Sequence, residues 1–284
     1  MRWGDGRRSD NVEDRRGSPV SRGVVGGGIG TVILVLVSMY FGVDPSVILD
    51  MASSGTSRPA VTSPATRPAA ENKLAEFVSV VLADTEDTWR DLFRKAGKTY
   101  REPKLVMFTG AVQSACGMTD AAAGPFYCPG DQKVYIDLAF YQELKNRFRA
   151  PGDFAQAYVI AHEVGHHVQN LLGISKKVQD ARSRASKKDG NRLSVRLELQ
   201  ADCFAGVWAN HADKARHILE SGDVEEALNA ASAIGDDRLQ RQSQGTVVPD
   251  AFTHGTSDQR VHWFNRGLTT GDINQCNTFS SQQF

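Results

Sequence analysis

Two histidines four residues apart constrain this chain more than any other feature of its sequence. His162 and His166 stand in the stretch HEVGH, with Glu163 directly after the first of them. Residues four apart on a helix lie on one face, one turn apart, so the two imidazoles can share one cation. A glutamate at the second position can reach a metal-bound water without becoming a ligand. The stretch therefore predicts a helix that binds Zn²⁺ through His162 and His166 and carries Glu163 as a general base.

The residues around this stretch favour a helix over about residues 154–172. Asp153 with Gln156 resembles an N-terminal capping box, and Gly173 stands where a glycine commonly ends a helix. An apolar stripe on the side away from the two histidines consists of Ile160, Val164, Val168 and Leu171. A core helix with two incidental histidines remains the alternative on this stretch alone. His167 lies one step round from the ligand face, so we expect it beside the ligands or in solvent rather than as a third ligand.

A second stretch, ELQAD at residues 198–202, supplies candidates for the rest of the site. Glu198 and Asp202 are again four apart, and the residues around them are apolar on nearly every side. Buried carboxylates need partners, because an unpaired buried charge costs several kcal/mol. Glu198 would complete a His₂Glu zinc site with one position open for water. Asp202 would accept the outer N–H of a ligand imidazole and so fix its orientation.

These two stretches resemble those of the gluzincin metallopeptidases, in the thermolysin-like branch. The chain is similar above all to a bacterial family of neutral zinc metallopeptidases, which are single-pass membrane proteins. That similarity extends to MRWGDGRRS at residues 1–9, GPFYCP at residues 124–129 and HGTSDQR at residues 254–260. The resemblance implies a zincin-type catalytic domain that holds one Zn²⁺ per chain and hydrolyses peptide bonds.

The resemblance also implies a role for His254. Thermolysin-like enzymes use a histidine from the C-terminal part of the chain to stabilise the oxyanion of the tetrahedral intermediate. His254 precedes a helix that we expect Ser257 to cap, which places it suitably in sequence. A histidine of an ordinary surface loop is the alternative reading. His262 lies inside that helix and is expected to be structural.

Composition restricts the class of partner. Lysine plus arginine number 33 and aspartate plus glutamate also number 33, which does not suggest a nucleic-acid partner. With 40% apolar residues, a chain of 284 residues can bury one substantial core.

The N-terminal third predicts a membrane anchor. Residues 1–22 carry six arginines against four acidic residues, and we expect a cytoplasmic tail that is disordered or has at best short-range structure. Residues 23–43 then run for 21 positions without a charge, long enough to span a bilayer once. A cleaved signal peptide or a buried helix are the alternatives, but the long run favours a retained anchor. Arginines before it place the N-terminus in the cytoplasm of a bacterial cell, leaving the rest outside the inner membrane.

The remaining chain is expected to form a Ser/Thr/Pro/Ala-rich tether over residues 44–71 and a catalytic domain over residues 72–284. Apolar spacing predicts one long helix or two short ones up to Gly97, a strand over residues 104–109 and a hairpin over residues 126–137. Further helices are expected at about 138–149, 175–188 and 191–213, followed by a short helical pair. The fold class is therefore α+β, mostly helical, a zincin/gluzincin-like domain with a small sheet, preceded by one transmembrane helix.

All four cysteines fall after the predicted span. An even number of cysteines in an oxidising compartment favours disulfides, and three pairings are possible. Cys116 and Cys128 flank a loop that leads into the hairpin, which favours their local pairing. Cys203 would then pair with Cys276, although a buried free thiol at Cys203 is the alternative.

Three functions are open on this sequence. The favoured one is a membrane-anchored zinc endopeptidase that acts on peptides or proteins outside the cytoplasm. A catalytically silent, zinc-stabilised scaffold of the cell envelope would not need Glu163, which this chain has. An amidase for cell-wall peptides would share the chemistry and differ in its substrate.

Overall fold

The computed structural model describes residues 1–17, 68–121 and 124–280, in which helices pack on a small sheet. The helices are α1 (Ala69–Lys95), α2 (Phe140–Asn146), α3 (Asp153–Leu171), α4 (Ile174–Arg182), α5 (Lys187–Arg216), α6 (Asp223–Ala233), α7 (Asp236–Gln244) and α8 (Ser257–Thr270), with 3₁₀ turns at Pro249–Ala251 and Ile273–Cys276. The strands are β1 (Val12–Asp14), β2 (Lys104–Phe108), β3 (Ala111–Ser114), β4 (Gly117–Asp120), β5 (Phe126–Cys128) and β6 (Lys133–Asp137). The predicted α+β class, mostly helical with a small sheet, is confirmed.

The main sheet has the strand order β1-β2-β6-β5. Strands β1, β2 and β6 are parallel, and β5 pairs antiparallel with β6 as the edge strand. This confirms the predicted hairpin. Alternate residues of β2 and β6 face opposite sides: Leu105 and Ile136 join the helical core, whereas Val106 and Tyr135 form a smaller cluster on the other face. Strands β3 and β4 form a separate hairpin, which the sequence analysis did not predict.

Residues 1–17 belong to the same fold as the rest of the described chain, so the expectation of a tail that is disordered or structured only over a short range is wrong for these residues. Strand β1 pairs with β2, with Val12 opposite Leu105. Behind it, the buried hydroxyl of Ser9 and the amide of Asn11 both donate to the carboxylate of Glu86 on α1. A single bilayer crossing between these parts would leave β1 and β2 on opposite sides. Residues 1–17 and the domain therefore share one side of any membrane, which contradicts the predicted topology of a cytoplasmic N-terminus with the catalytic domain outside.

The predicted anchor at residues 23–43 lies outside the described residues, as does the tether up to residue 67. In the part of the chain that the structure describes, none of the helices has the length and apolar character needed to cross a membrane.

Several helix ends differ from those predicted. Asp153 is the first residue of α3 rather than its cap, and Gly152 precedes it without a side-chain cap bond. The carboxylate still suits the helix N-terminus, where the helix dipole is positive. Helix α8 is capped by Thr256 rather than by Ser257, in a capping box with Gln259. Gly173 does follow α3 with a left-handed φ of 73°, as expected.

Close helix contacts bring the functional segments together. Gly165 of α3 faces Ala201 of α5, and a Cβ at Gly165 would lie only 3.0 Å from the Ala201 carbonyl oxygen. Helices α5 and α8 approach as closely, since a Cβ at Gly267 would lie 2.0 Å from the Cys203 carbonyl oxygen. Glycine at these two positions therefore allows α3, α5 and α8 to meet around one site.

Candidate metal centre

His162, His166 and Glu198 lie together between helices α3 and α5. The Oε2 atom of Glu198 is 3.2 Å from Nε2 of His162 and 3.5 Å from Nε2 of His166. One ligand atom from each of the three residues lies within 4.8 Å of the other two. The structure thus gathers the three predicted zinc ligands from the two helices on which the sequence analysis placed them.

The outer nitrogens of both histidines are held by acceptors. Nδ1 of His162 is 2.8 Å from Oδ1 of Asp202, and Nδ1 of His166 is 2.9 Å from Oε1 of Gln169. Each Nδ1 therefore carries a proton, so Nε2 is the ring nitrogen of each histidine that faces Glu198 and could bind a metal. Two imidazole nitrogens and one carboxylate oxygen, with the histidines fixed from outside, form the donor set of a catalytic zinc site.

Asp202 forms the centre of a fully buried network. Besides His162, its carboxylate accepts hydrogen bonds from the Tyr158 hydroxyl at 2.5 Å and from two guanidinium nitrogens of Arg260 at 2.9 Å each. Burial would raise the pKa of Asp202, but Arg260 and His162 outweigh it and lower that pKa to about 2. Burial alone would lower the pKa of His162, yet Asp202 and Glu198 raise it to about 10. Asp202 therefore stays ionised and holds His162 firmly.

Glu163 lies beside the histidines with only 8% of its surface exposed. Burial raises the pKa of its carboxyl above the ordinary value, and His162 and His166 offset this only in part. A raised pKa brings a carboxylate closer to the range in which it can accept and release a proton at neutral pH.

His254 reaches the same cleft from the loop before α8, where Asp236 holds it. Oδ2 of Asp236 accepts the backbone N–H groups of Thr253, His254 and Gly255 at 2.7, 2.6 and 3.0 Å. Its Oδ1 lies 3.3 Å from Nδ1 of His254. This contact raises the pKa of His254. The arrangement leaves Nε2 of His254 without a contact to Asp236.

These groups line one cleft of about 500 Å³. His162, Glu163, His166, Glu198 and His254 all contribute to its wall. Aromatic residues from β5 and α2, including Phe126, Tyr127 and Phe140, also line this cleft and give it an apolar part. The cleft is large enough for a few amino-acid residues of a bound chain.

Comparison with known proteins decides the family. The chain matches the family described as "Putative neutral zinc metallopeptidase" over residues 1–279. The chain belongs to this family. It is 54% identical to the uncharacterized protein YpfJ of Escherichia coli (strain K12), over 98% of this chain and 99% of that protein. It is 38% identical to an uncharacterized protein of Mycobacterium tuberculosis, over 86% of this chain and 85% of that protein. No solved structure gives a significant match.

The family description implies zinc and suggests peptidase activity, and its relatives named above are uncharacterized. Within this zinc metallopeptidase family member, the geometry adds residues that the sequence analysis missed. Arg260, Tyr158, Asp236 and Gln169 all hold site residues in place. Arg260, Tyr158 and Asp236 each contact a site residue that is distant in the sequence. Gln169 is close in sequence to His166, but no spacing rule predicts a role for a glutamine there. Arg260 does lie within the stretch that suggested the resemblance.

His167 is not part of the ligand cluster, as expected, but its surroundings differ from those predicted. It is fully buried and lies 3.1 Å from the Tyr127 hydroxyl and 2.6 Å from the Arg101 carbonyl oxygen. Burial lowers the pKa of His167 to about 4, so this imidazole is neutral. It is buried rather than solvated, and it connects α3 to the segment before β2 and to β5.

Both predicted disulfides are present, Cys116–Cys128 and Cys203–Cys276. The first joins β5 to the β3–β4 hairpin, and the second joins α5 to the 3₁₀ turn after α8. The alternative of a free thiol at Cys203 is therefore wrong.

Proposed function

We propose that this protein is a zinc-dependent endopeptidase of the gluzincin type. The observation that supports it best is the position of Glu163 in the cleft beside His162, His166 and Glu198. The atoms through which these last three residues could bind a metal lie close together. When bound there by these three residues, zinc would lower the pKa of a water molecule and polarise the scissile carbonyl. A silent scaffold would need the ligands but not a buried carboxylate beside them.

The residues of the chain would divide the remaining work. Glu163 takes the proton of the attacking water and returns it to the leaving amine. His254, oriented by Asp236, donates from Nε2 to the oxygen that gains negative charge. Asp202, with Arg260 and Tyr158 behind it, keeps His162 in the orientation that presents Nε2 to the metal.

A peptide is the substrate that fits the cleft. Strand β5 is an edge of the sheet and contributes Phe126 and Tyr127 to the cleft wall. An extended chain could pair with an exposed edge strand through its backbone, with side chains placed alternately in the cleft. Pairing of this kind would place a peptide bond from the interior of the substrate, rather than one at its end, beside Glu163. This favours an endopeptidase.

We also propose that the domain acts outside the cytoplasm and that the uncharged residues 23–43 attach it to the inner membrane without a single crossing, because residues 1–17 pair with the domain. Two disulfide bonds support an oxidising compartment, where such bonds persist. The lack of charge over residues 23–43 supports attachment. Residues 1–17 fold with the domain and would share its compartment.

The test uses the full-length protein and an unbiased peptide library, with and without a chelator, with cell-wall peptides in a parallel reaction. We expect metal-dependent cleavage inside the library peptides. Glu163→Gln should keep zinc while hydrolysis falls by ~10² or more, because the base is lost. Cleavage of the cell-wall peptides alone would favour the amidase, and undiminished cleavage by Glu163→Gln would overturn the mechanism. Stoichiometric zinc in Glu198→Ala would show that the third ligand is wrong.

A further inference from the structure

The two ligand histidines are oriented by different devices. His162 is held by the charged group of Asp202 and Arg260, whereas His166 is held by the neutral amide of Gln169. Gln169 lies on α3 one turn after His166 and is fully buried. A buried amide that touches a metal ligand in this way has the position of an orienting residue.

The amide of Gln169 connects both ligand helices. Its Oε1 faces Nδ1 of His166, and its Nε2 donates to the Leu197 carbonyl oxygen at 2.7 Å, directly before Glu198 on α5. The same Nε2 lies 3.1 Å from Oε1 of Gln200. Gln169 therefore fixes His166 relative to the backbone that carries the third ligand.

A second amide continues this chain of hydrogen bonds to a disulfide. Nε2 of Gln200 donates to the carbonyl oxygen of Cys276 at 2.9 Å. Cys276 is bonded to Cys203, which lies on α5 one turn after Gln200. We call Gln169, Gln200 and the Cys276 carbonyl the amide chain.

Two backbone carbonyls fix which way the side-chain amides of the amide chain are turned. A side-chain amide can turn its oxygen and nitrogen either way, but a backbone carbonyl can only accept. Because the carbonyls of Cys276 and Leu197 accept, both amides must point their N–H groups towards them. Oε1 of Gln169 is then left facing Nδ1 of His166, so Nδ1 must be the protonated nitrogen. Nε2 of His166 is thereby kept free for a metal.

We infer that Gln169 and Gln200 are positioning residues for the metal ligand His166, and that the Cys203–Cys276 disulfide anchors them, so that metal affinity depends on this disulfide. The inference rests on the zinc site proposed above and assigns the second disulfide a role beyond fold stability. Through the hydrogen bonds of the amide chain, the metal affinity would depend on whether the surroundings keep this disulfide oxidised.

The first arm of the test measures zinc affinity of the full-length protein by competition with a chromophoric chelator at fixed pH. Gln169→Leu and Gln200→Leu keep side-chain volume but remove the hydrogen bonds. We expect zinc to bind about 10–100-fold more weakly in Gln169→Leu, the usual effect of losing an outer partner of a ligand, and to weaken in the same direction in Gln200→Leu. The absorption spectrum of the cobalt-loaded protein should change in both.

The matched control is Asn210→Ala. Asn210 lies on the same helix α5, is buried, and donates to the Leu268 carbonyl oxygen at 2.7 Å. Its side chain takes no part in the hydrogen bonds of the amide chain described above. We expect this variant to lose thermal stability while its zinc affinity and cobalt spectrum stay those of the wild type. Equal zinc affinity in the wild type, Gln169→Leu and Gln200→Leu would overturn the inference, as would an equal loss in Asn210→Ala.

The second arm compares the two disulfides. Replacing Cys203 and Cys276 by serine should weaken zinc binding several-fold, because the Cys276 carbonyl is no longer pinned to α5. Replacing Cys116 and Cys128 by serine should leave zinc affinity unchanged. The same loss in both pairs, or none in the first, would refute the role of the disulfide.

These results also separate the inference from the proposed function. A wild-type protein that binds no zinc would remove the proposed metal site itself. A wild-type protein that binds zinc, with variants of the amide chain that bind it equally well, would remove only the role of the amide chain.

Discussion

Replacing Asp202 by asparagine perturbs the metal site and the fold at once. The carboxylate accepts from Nδ1 of His162, from the Tyr158 hydroxyl and from two nitrogens of Arg260. Asparagine keeps the shape, but one of its two terminal atoms becomes a donor and must face another donor. The substitution also takes away the carboxylate that is paired with the guanidinium of Arg260, which is only 2% exposed.

The structure sets the size of both effects. Removing one partner of a buried ion pair costs about 3–5 kcal/mol of unfolding free energy. At about 2–4 °C per kcal/mol for a protein of this size, the melting temperature of the metal-free protein should fall by roughly 6–20 °C. Loss of the partner that orients a ligand histidine weakens metal binding by about 10–100-fold.

The assay combines thermal unfolding of the metal-free protein with a zinc competition titration. Asp84→Asn is the matched control, because Asp84 is also buried and accepts from Trp208 at 2.7 Å and from Arg216 at 2.8 Å, away from the metal site. We expect both variants to lose stability and only Asp202→Asn to lose zinc affinity. Unchanged zinc affinity in Asp202→Asn, or an equal loss in Asp84→Asn, would refute the reasoning.

Three further predictions follow from the cleft and its surroundings. His254→Ala should keep its fold and its zinc while kcat/KM falls by on the order of 10². Wild-type turnover in this variant would show that His254 is an ordinary loop residue without a catalytic role. Asp236 raises the pKa of His254, so the protonated imidazole persists to higher pH. In Asp236→Asn the alkaline limb of the kcat/KM profile should therefore move to lower pH. A limb that does not move would contradict the role of His254 as a donor. Replacing Cys116 and Cys128 by serine should lower the unfolding free energy by roughly 2–3 kcal/mol in chemical denaturation, and an unchanged value would show that the bridge does not constrain the chain.

The parts of the site that the sequence predicted are those defined by local spacing. His162 and His166, and then Glu198 and Asp202, are four apart on helices, so helix geometry alone puts each pair on one face. The meeting of the two helices was inferred from the chemistry that the pairs share. Arg260 lies 58 positions from Asp202, and no spacing rule connects them.

The N-terminal strand shows a different limit. The segment 1–17 is polar and has no apolar periodicity, so pattern alone assigns it to a disordered tail. Its order comes from contacts with distant residues: Glu13 of β1 accepts from Lys133 at 2.7 Å, a separation of 120 positions. A three-residue strand that depends on such contacts carries little signal of its own.

The start of helix α8 contributes both to the proposed oxyanion donor and to the orientation of a metal ligand. The loop before α8 carries His254, and the first turn of α8 carries Arg260, which holds Asp202 and through it His162. Asp236 fixes this loop through three backbone amides, while the close approach of Gly267 to α5 fixes the helix. A shift of α8 against α5 would therefore move the oxyanion donor and loosen a metal ligand together. Replacing Gly267 by a larger residue should therefore alter zinc affinity and turnover in parallel, whereas changes at Glu163 should alter turnover alone.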